Sequence, residues 1–262
     1  MSVVIRMKAD TLHEEMARFA MQPLKEPVFL NSVPKCGTHL IRNIVRMFTP
    51  AEQQYHATFI QLPLLRQHAA AFAGNPPYAS WGHLLFSDDS AVAVSKVRHI
   101  VLVRDPYDFV LARARFFLSD AFQGPLNNIK NGAVDVESVL NMMIFGAFQK
   151  NPSLAEIFTY NAVAWMGTHA MIYRYEDLIH HLRDLESAAA QAFFRKFLSD
   201  CGIDALPEDW LERVRVGSDR KHSATSREHL TGAVQVPDTL PAAQKQLVDF
   251  HAPGLRAFLG YR

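Results

Sequence analysis

The sequence predicts an α/β protein, a single domain over residues 1–262 with a central, mostly parallel sheet flanked by helices. Three observations predict it. Short apolar runs rich in β-branched residues, one beginning at Val28 and the others at Val97–Val103 and Ala170–Tyr175, read as buried strands. Stretches with apolar residues at helical spacing separate them, and strands joined through helices pair in parallel with helices on both faces. Of the 262 residues, 49% are hydrophobic, ample for one large core, and 20% are charged, ordinary for a globular chain.

Residues 1–26 form a lead-in with one helix at about Leu12 to Met21. The strand beginning at Val28 turns through Pro34-Lys35-Cys36-Gly37 into a helix. That helix carries Leu40, Ile41, Ile44, Val45 and Phe48 on one side and Arg42, Asn43 and Arg46 on the other. Gly74-Asn75-Pro76-Pro77 marks a turn, a helical patch covers Ser90–Ser95, and the Val97–Val103 strand stops at Arg104-Asp105-Pro106. Helices are expected at Asp108–Leu118, Val136–Gln149 and Leu154–Met166, the last opened by Asn151-Pro152-Ser153 as a capped start. After the Ala170–Tyr175 strand come helices at about Leu182–Cys201 and Pro207–Val214. Residues 215–238 are polar with no hydrophobic period, the mark of a long loop, and a helix at about Ala242–Phe258 closes the chain.

A net charge of +1 gives no global field suited to nucleic acid, so any attraction for an anion must be local. The two cysteines, Cys36 and Cys201, make neither a disulfide framework nor a metal-ligand pattern, and reduced thiols are expected. Met1–Asp10 lacks the apolar core of a secretory leader, and no run reaches the length of a membrane span, so a cytoplasmic location is expected.

The chemistry concentrates in Val28 to Leu40. A strand turning sharply into a helix presents unpaired N–H groups and the positive end of the helix dipole, an anion site whose usual occupant is phosphate. Lys35 adds a full charge, Gly37 lets the backbone approach the anion, and Thr38 offers a hydroxyl. Cys36 is either a thiol activated by this field or a small packing residue. The loop is not the ordinary nucleotide-hydrolase one, because its lysine precedes the glycine. Lys35, Arg104 and Tyr175 all fall at strand ends, where parallel sheets bind their ligands.

Pro34-Lys35-Cys36-Gly37-Thr38 after a strand resembles the 5′-phosphosulfate loop of the sulfotransferases. These enzymes move a sulfuryl group from 3′-phosphoadenosine 5′-phosphosulfate (PAPS) to an acceptor, commonly a hydroxyl. Val101-Leu102-Val103-Arg104-Asp105-Pro106-Tyr107-Asp108 is similar to the family's 3′-phosphate segment. An arginine there can fork two N–H bonds onto phosphate oxygens; the alternative is an ion pair with Asp105 or Asp108. His83, in Trp81-Gly82-His83-Leu84-Leu85, stands where similar enzymes carry the catalytic base, and histidine suits proton removal from a hydroxyl. Tyr173-Arg174-Tyr175-Glu176-Asp177-Leu178 looks like the family's Tyr-Glu-Asp-Leu, which makes Tyr175 an adenine platform or a core tyrosine before a helix cap. Ser223 to Gly232 faintly resembles the family's late segment, which makes Arg227 a 3′-phosphate ligand in competition with Arg220 and Lys221.

The resemblance runs in order from about Val28 to Gly232. It implies a P-loop-containing nucleotide-hydrolase-like fold, PAPS as donor, adenosine 3′,5′-bisphosphate (PAP) as product, and no metal. It implies catalytic roles for His83 and Lys35. It implies cofactor binding by Lys35, Cys36, Gly37, Thr38, His39, Arg104, Tyr175 and Arg227, with the 215–238 loop over the cofactor. Departures are plain. Ala112, beside Arg113, replaces a serine that contacts the 3′-phosphate, Trp81 replaces a lysine near the sulfuryl group, Leu85 replaces a proline, and His39 replaces a threonine. Two alternatives therefore stay open: a P-loop kinase or nucleotide hydrolase using Asp105, and a non-catalytic nucleotide-binding scaffold. The acceptor is expected to be a small or lipid-like molecule with a hydroxyl. Phe116, Phe117, Phe122, Met142, Met143, Phe145 and Phe148 either line an apolar acceptor pocket or fill the core. No nucleic-acid partner and no transmembrane segment are expected, and a homodimer is left open.

Overall fold

The computed structural model describes residues 4–55, 59–223 and 235–262. Its strands are β1 (Val4–Ile5), β2 (Val28–Ser32), β3 (Ile60–Gln61), β4 (Ala79–His83), β5 (Arg98–Val103), β6 (Phe122–Gln123) and β7 (Met171–Arg174). The chain divides into two compact units. One comprises Ala9–Val103 with Tyr160–Ala224, and the other Met1–Lys8, Arg104–Thr159 and Thr225–Arg262.

The first unit holds a five-stranded sheet in the order β3-β4-β2-β5-β7, every neighbouring pair parallel. All five residues of β2 are buried because both faces are covered. On one face Val28, Leu30, Ile100, Leu102 and Tyr173 join the apolar sides of the helices Thr38–Arg46, Ala188–Asp200 and Trp210–Ser218. On the other, Phe29 meets Phe72 at 5.4 Å and His99 meets Trp165 at 4.6 Å. Each large aliphatic chain so enclosed contributes about 1.5–3 kcal/mol.

Within this sheet two strands, β3 and β4, go beyond the three expected. β4 is Ala, Ser, Trp, Gly and His, with no β-branched run to announce it. Its glycine has a specific reason: a Cβ on Gly82 would lie 2.0 Å from the Ile60 carbonyl oxygen, so only glycine admits β3 alongside. The polar side of the Thr38–Arg46 helix is also a correction, since Asn43 and Arg46 are buried. Asn43 donates to the His222 carbonyl at 3.0 Å, and Arg46 pairs with Asp10 at 2.8 Å and donates to Gln54 at 2.8 Å.

The helix expected over Leu182–Cys201 is two helices, Tyr175–Arg183 and Ala188–Asp200, the second capped by Ser187, whose hydroxyl accepts from the Ala190 N–H at 3.2 Å. The helix expected at Pro207–Val214 starts at Trp210 and runs to Ser218, and Arg220–His222 forms a 3-10 turn, so helical structure continues well past residue 215. Residues 224–234, with Arg227, lie outside the described residues.

In the second unit the helices Pro106–Leu118, Val136–Phe145 and Ala242–His251 pack together, and β1 pairs antiparallel with β6. Ser153 caps the Leu154–Asn161 helix as the sequence indicates, accepting from the Glu156 N–H at 3.2 Å, but the helix stops at Asn161 rather than Met166. Gly254, with φ of 75°, splits the expected last helix into Ala242–His251 and Leu255–Phe258. Among the described residues no helix is long and apolar enough to cross a membrane.

Candidate active site

The loop after β2 is tied down at both ends. The Val33 N–H donates to the Leu102 carbonyl at 3.0 Å, and the Cys36 N–H donates to the Val33 carbonyl at 3.2 Å. Lys35 has φ of 66°, uncommon for a side-chain-bearing residue and the kind of outlier that clusters at functional loops. Gly37, with φ of 102°, is the N-cap of the Thr38–Arg46 helix and brings no side-chain acceptor to its first turn. A Cβ on Gly37 would lie 2.6 Å from the Tyr175 ring, which therefore rests directly on the loop. Tyr175 opens the Tyr175–Arg183 helix immediately after β7.

His83 closes β4 across from this loop. Its Nδ1 lies 2.9 Å from the Ser32 carbonyl oxygen and 3.2 Å from Ser32 Oγ. A carbonyl oxygen only accepts, so Nδ1 carries the proton and Nε2 the lone pair. Ser32 Oγ lies 2.5 Å from Thr38 Oγ1. With Ser32 accepting from His83 it can donate to Thr38, which leaves the Thr38 proton for a further acceptor. Loss of hydration lowers the His83 pKa to about 4; the Lys35 charge adds to this, against the hydrogen bonds that the ring donates to the backbone of Ser32 and Gly82. The imidazole is neutral at physiological pH.

His39, in the first turn of the helix, is lowered to about 4 by burial and then by the charges of Arg42 and Lys35. Its Nδ1 is buried and meets no hydrogen-bond partner among the described residues, as is the Trp81 Nε1. His39 and Trp81 lie 5.3 Å apart, and the Arg42 guanidinium stacks over Trp81 at 4.5 Å. Phe59 completes the group, 5.7 Å from Trp81 and 5.3 Å from His83. Sequence reasoning missed Arg42, which brings a cation to the tryptophan that replaces the expected lysine. Its one signal was the helical spacing from His39.

Lys35, Gly37, Thr38, His39, His83 and Tyr175 thus gather on the first unit. Cys36 is present but fully buried, with its thiol 3.8 Å from the Pro34 carbonyl, which favours packing over reactivity. Arg104 begins the second unit, two residues after Leu102, which pairs with Ser32. It lies 3.9 Å from Asp108, while Asp105 caps the Pro106–Leu118 helix and pairs with Arg256 at 3.0 Å. Arg113 does not stand in for the missing serine at Ala112. It is buried, donating to the Met143 and Pro152 carbonyls and to Asn151 at 2.7–2.9 Å. Of the candidate acceptor-lining residues, Phe116, Phe117 and Phe122 pack on one another at 4.7–5.5 Å, Met143 is buried, and Phe148 is 91% exposed. They form no single lining.

Burial of neutral histidines carries a pH signature. His39 and His83 are lowered to about 4, and His99, fully buried in β5 and near His169, to about 3. Below about pH 6.5 the unfolded chain binds protons that the folded chain refuses, so stability falls as pH drops from about 6.5 toward 4. For His99 alone the loss between pH 7.5 and 5 is on the order of 2 kcal/mol. Urea unfolding at the two pH values should show a lower midpoint at pH 5; equal midpoints would contradict these neutral, buried rings.

No protein-family model matches the sequence. No curated protein matches it either. A solved structure does: mouse sulfotransferase SULT7A1 complexed with PAP aligns with a TM-score of 0.55 at 14% identity, over 94% of this chain and 88% of that one. The chain therefore has the α/β fold of a sulfotransferase structure, with the parallel sheet and helical layers described above.

Proposed function

We propose that the whole chain acts as one PAPS-dependent sulfotransferase domain, cytoplasmic, transferring a sulfuryl group to the hydroxyl of a small or lipid-like acceptor. The observation that carries this reading is His83, neutral and protonated on Nδ1, beside a lysine-bearing loop at a helix N-terminus. The likeness to a PAP-complexed sulfotransferase supports the same choice.

The residues suit an anionic nucleotide. Gly37 opens the backbone at the loop, His39 has an orphaned buried ring nitrogen, and Lys35 supplies charge. In this reading Lys35, the Gly37–His39 segment and the Thr38 hydroxyl hold the 5′-phosphosulfate, Arg104 and Arg227 the 3′-phosphate, and Tyr175 the adenine. Cys36 contributes packing. PAPS supplies the sulfuryl group. As the acceptor oxygen bonds to sulfur, the sulfur–oxygen bond to phosphate breaks, PAP leaves with the electron pair, and Nε2 of His83 takes the hydroxyl proton. Lys35 and the helix N-terminus stabilise the charge that grows on the departing oxygen. An anion beside Lys35 also cancels one of the influences that depress His83, raising its basicity when it is needed.

Incubation with sulfur-labelled PAPS and a panel of phenols, aliphatic alcohols, sugars and tyrosine peptides tests the reading. Label on one acceptor class, with equimolar PAP and no magnesium requirement, is the expected result. Tight PAP binding without transfer to any acceptor would instead indicate a binding protein.

A further inference from the structure

Asn31, in the middle of the sheet, is 0% exposed. A primary amide there is costly unless its polar groups are met, and here they are met in an unusual way. Oδ1 accepts from the Leu84 N–H at 2.9 Å and from the Ser32 N–H at 2.9 Å. Nδ2 donates to the Leu84 carbonyl at 3.1 Å and lies 3.3 Å from His99 Nε2. At Leu84 the side chain thus supplies both bonds that a neighbouring strand would supply. It extends the β2–β4 pairing, whose last register pair is Asn31 with Gly82, beyond the end of β4. The Trp165 indole N–H donates to the same Leu84 carbonyl at 3.3 Å.

The two residues held by Asn31 are the two that fix His83. Ser32 provides the carbonyl that takes the His83 Nδ1–H, and Leu84 follows His83 in the chain. We infer that Asn31 is a positioning residue for His83: one buried amide locks the backbone on both sides of the imidazole and so sets its tautomer and the aim of Nε2. A leucine of similar volume would fill the same space in the core, but it could bond neither Ser32 nor Leu84. The kinetic part of this inference rests on His83 being the base in the proposed transfer.

The test uses the full chain labelled with nitrogen-15 histidine, read by nuclear magnetic resonance with the His83 signal assigned by a His83→Gln variant. Wild type should show the proton on Nδ1 and the lone pair on Nε2. Asn31→Leu removes both kinds of bond, and Asn31→Asp keeps the Oδ1 acceptor while turning an oxygen toward the Leu84 carbonyl. In either variant that folds, His83 should become a mixture of tautomers. Its kcat should fall by about tenfold to a hundredfold with KM for PAPS unchanged, since a small misplacement of the base is that costly. A purely structural Asn31 would lower the melting temperature and leave tautomer and kcat alone, and that result overturns the inference. So does a wild-type His83 protonated on Nε2, a measurement that needs no variant to fold. The tautomer readout requires no turnover. A wild type that transfers no sulfuryl group therefore refutes the proposed function without deciding the role of Asn31.

Discussion

His83→Ala should lower kcat for sulfuryl transfer by about 10²- to 10⁴-fold, the range associated with loss of a positioned base, and leave PAP affinity nearly unchanged. The separation follows from charge. His83 is neutral in the folded protein, so its removal takes no positive charge from the anion loop. What is lost is the Nε2 lone pair and the Nδ1–H bond to the Ser32 carbonyl, the latter contributing about 1 kcal/mol to stability. Steady-state kinetics with calorimetric PAP binding on the same preparation make the comparison. A variant with normal kcat would remove His83 from the chemistry. One that binds PAP poorly would make it a binding residue.

Gly37→Ala should weaken PAP binding at least about tenfold, a loss near 1.4 kcal/mol. Two costs combine. A φ of 102° is strained for any residue with a Cβ, by roughly 1–3 kcal/mol. The added carbon would also meet the Tyr175 ring at 2.6 Å and push that ring off the loop. Salt distinguishes this from loss of charge. Lys35→Ala should bind PAP with a weaker dependence on ionic strength, whereas Gly37→Ala should bind weakly but keep the wild-type salt slope. Wild-type affinity in Gly37→Ala would mean that the loop geometry has no part in holding the nucleotide.

How far the fold can be read from the sequence depends on which surfaces each element buries. β2 and β5 are legible because their apolar runs are enclosed on both faces, and β7, a partly buried edge strand, because its short apolar run stands between two helical stretches. β4 escapes because Ser80, Trp81, Gly82 and His83 owe their places to neighbours far along the chain, Gly82 most directly through the Ile60 carbonyl. Buried polar residues are hidden for the same reason. Arg46 reads as a solvated charge until Asp10 is seen beside it, and Arg113 reads only as the neighbour of Ala112 until Met143, Asn151 and Pro152 surround it. The last helix is a different case. Pro253-Gly254 stood in plain view as a stop signal, outweighed by the apolar spacing on either side.

The lysine-bearing strand–loop–helix corner after β2 is legible because such corners and short motifs are local. Its coupling to His83 is not. The Ser32 contacts that choose the His83 tautomer, and Asn31 behind them, join positions some fifty residues apart in sequence. Arg42 over Trp81 is likewise a contact between a helix and a strand, and the helical spacing from His39 announces only the helix side of it.

The central claim is that the loop from Val33 to Thr38 holds an adenosine bisphosphate. The most direct measurement is calorimetric titration of the full chain with PAP, in parallel with ATP plus magnesium, on wild type and on folded Lys35→Ala and Arg104→Ala variants. We expect wild type to bind PAP tightly and without magnesium, and both variants to lose at least about tenfold in affinity. Binding of ATP with magnesium but not PAP would contradict the account and make the chain a nucleotide hydrolase or kinase instead.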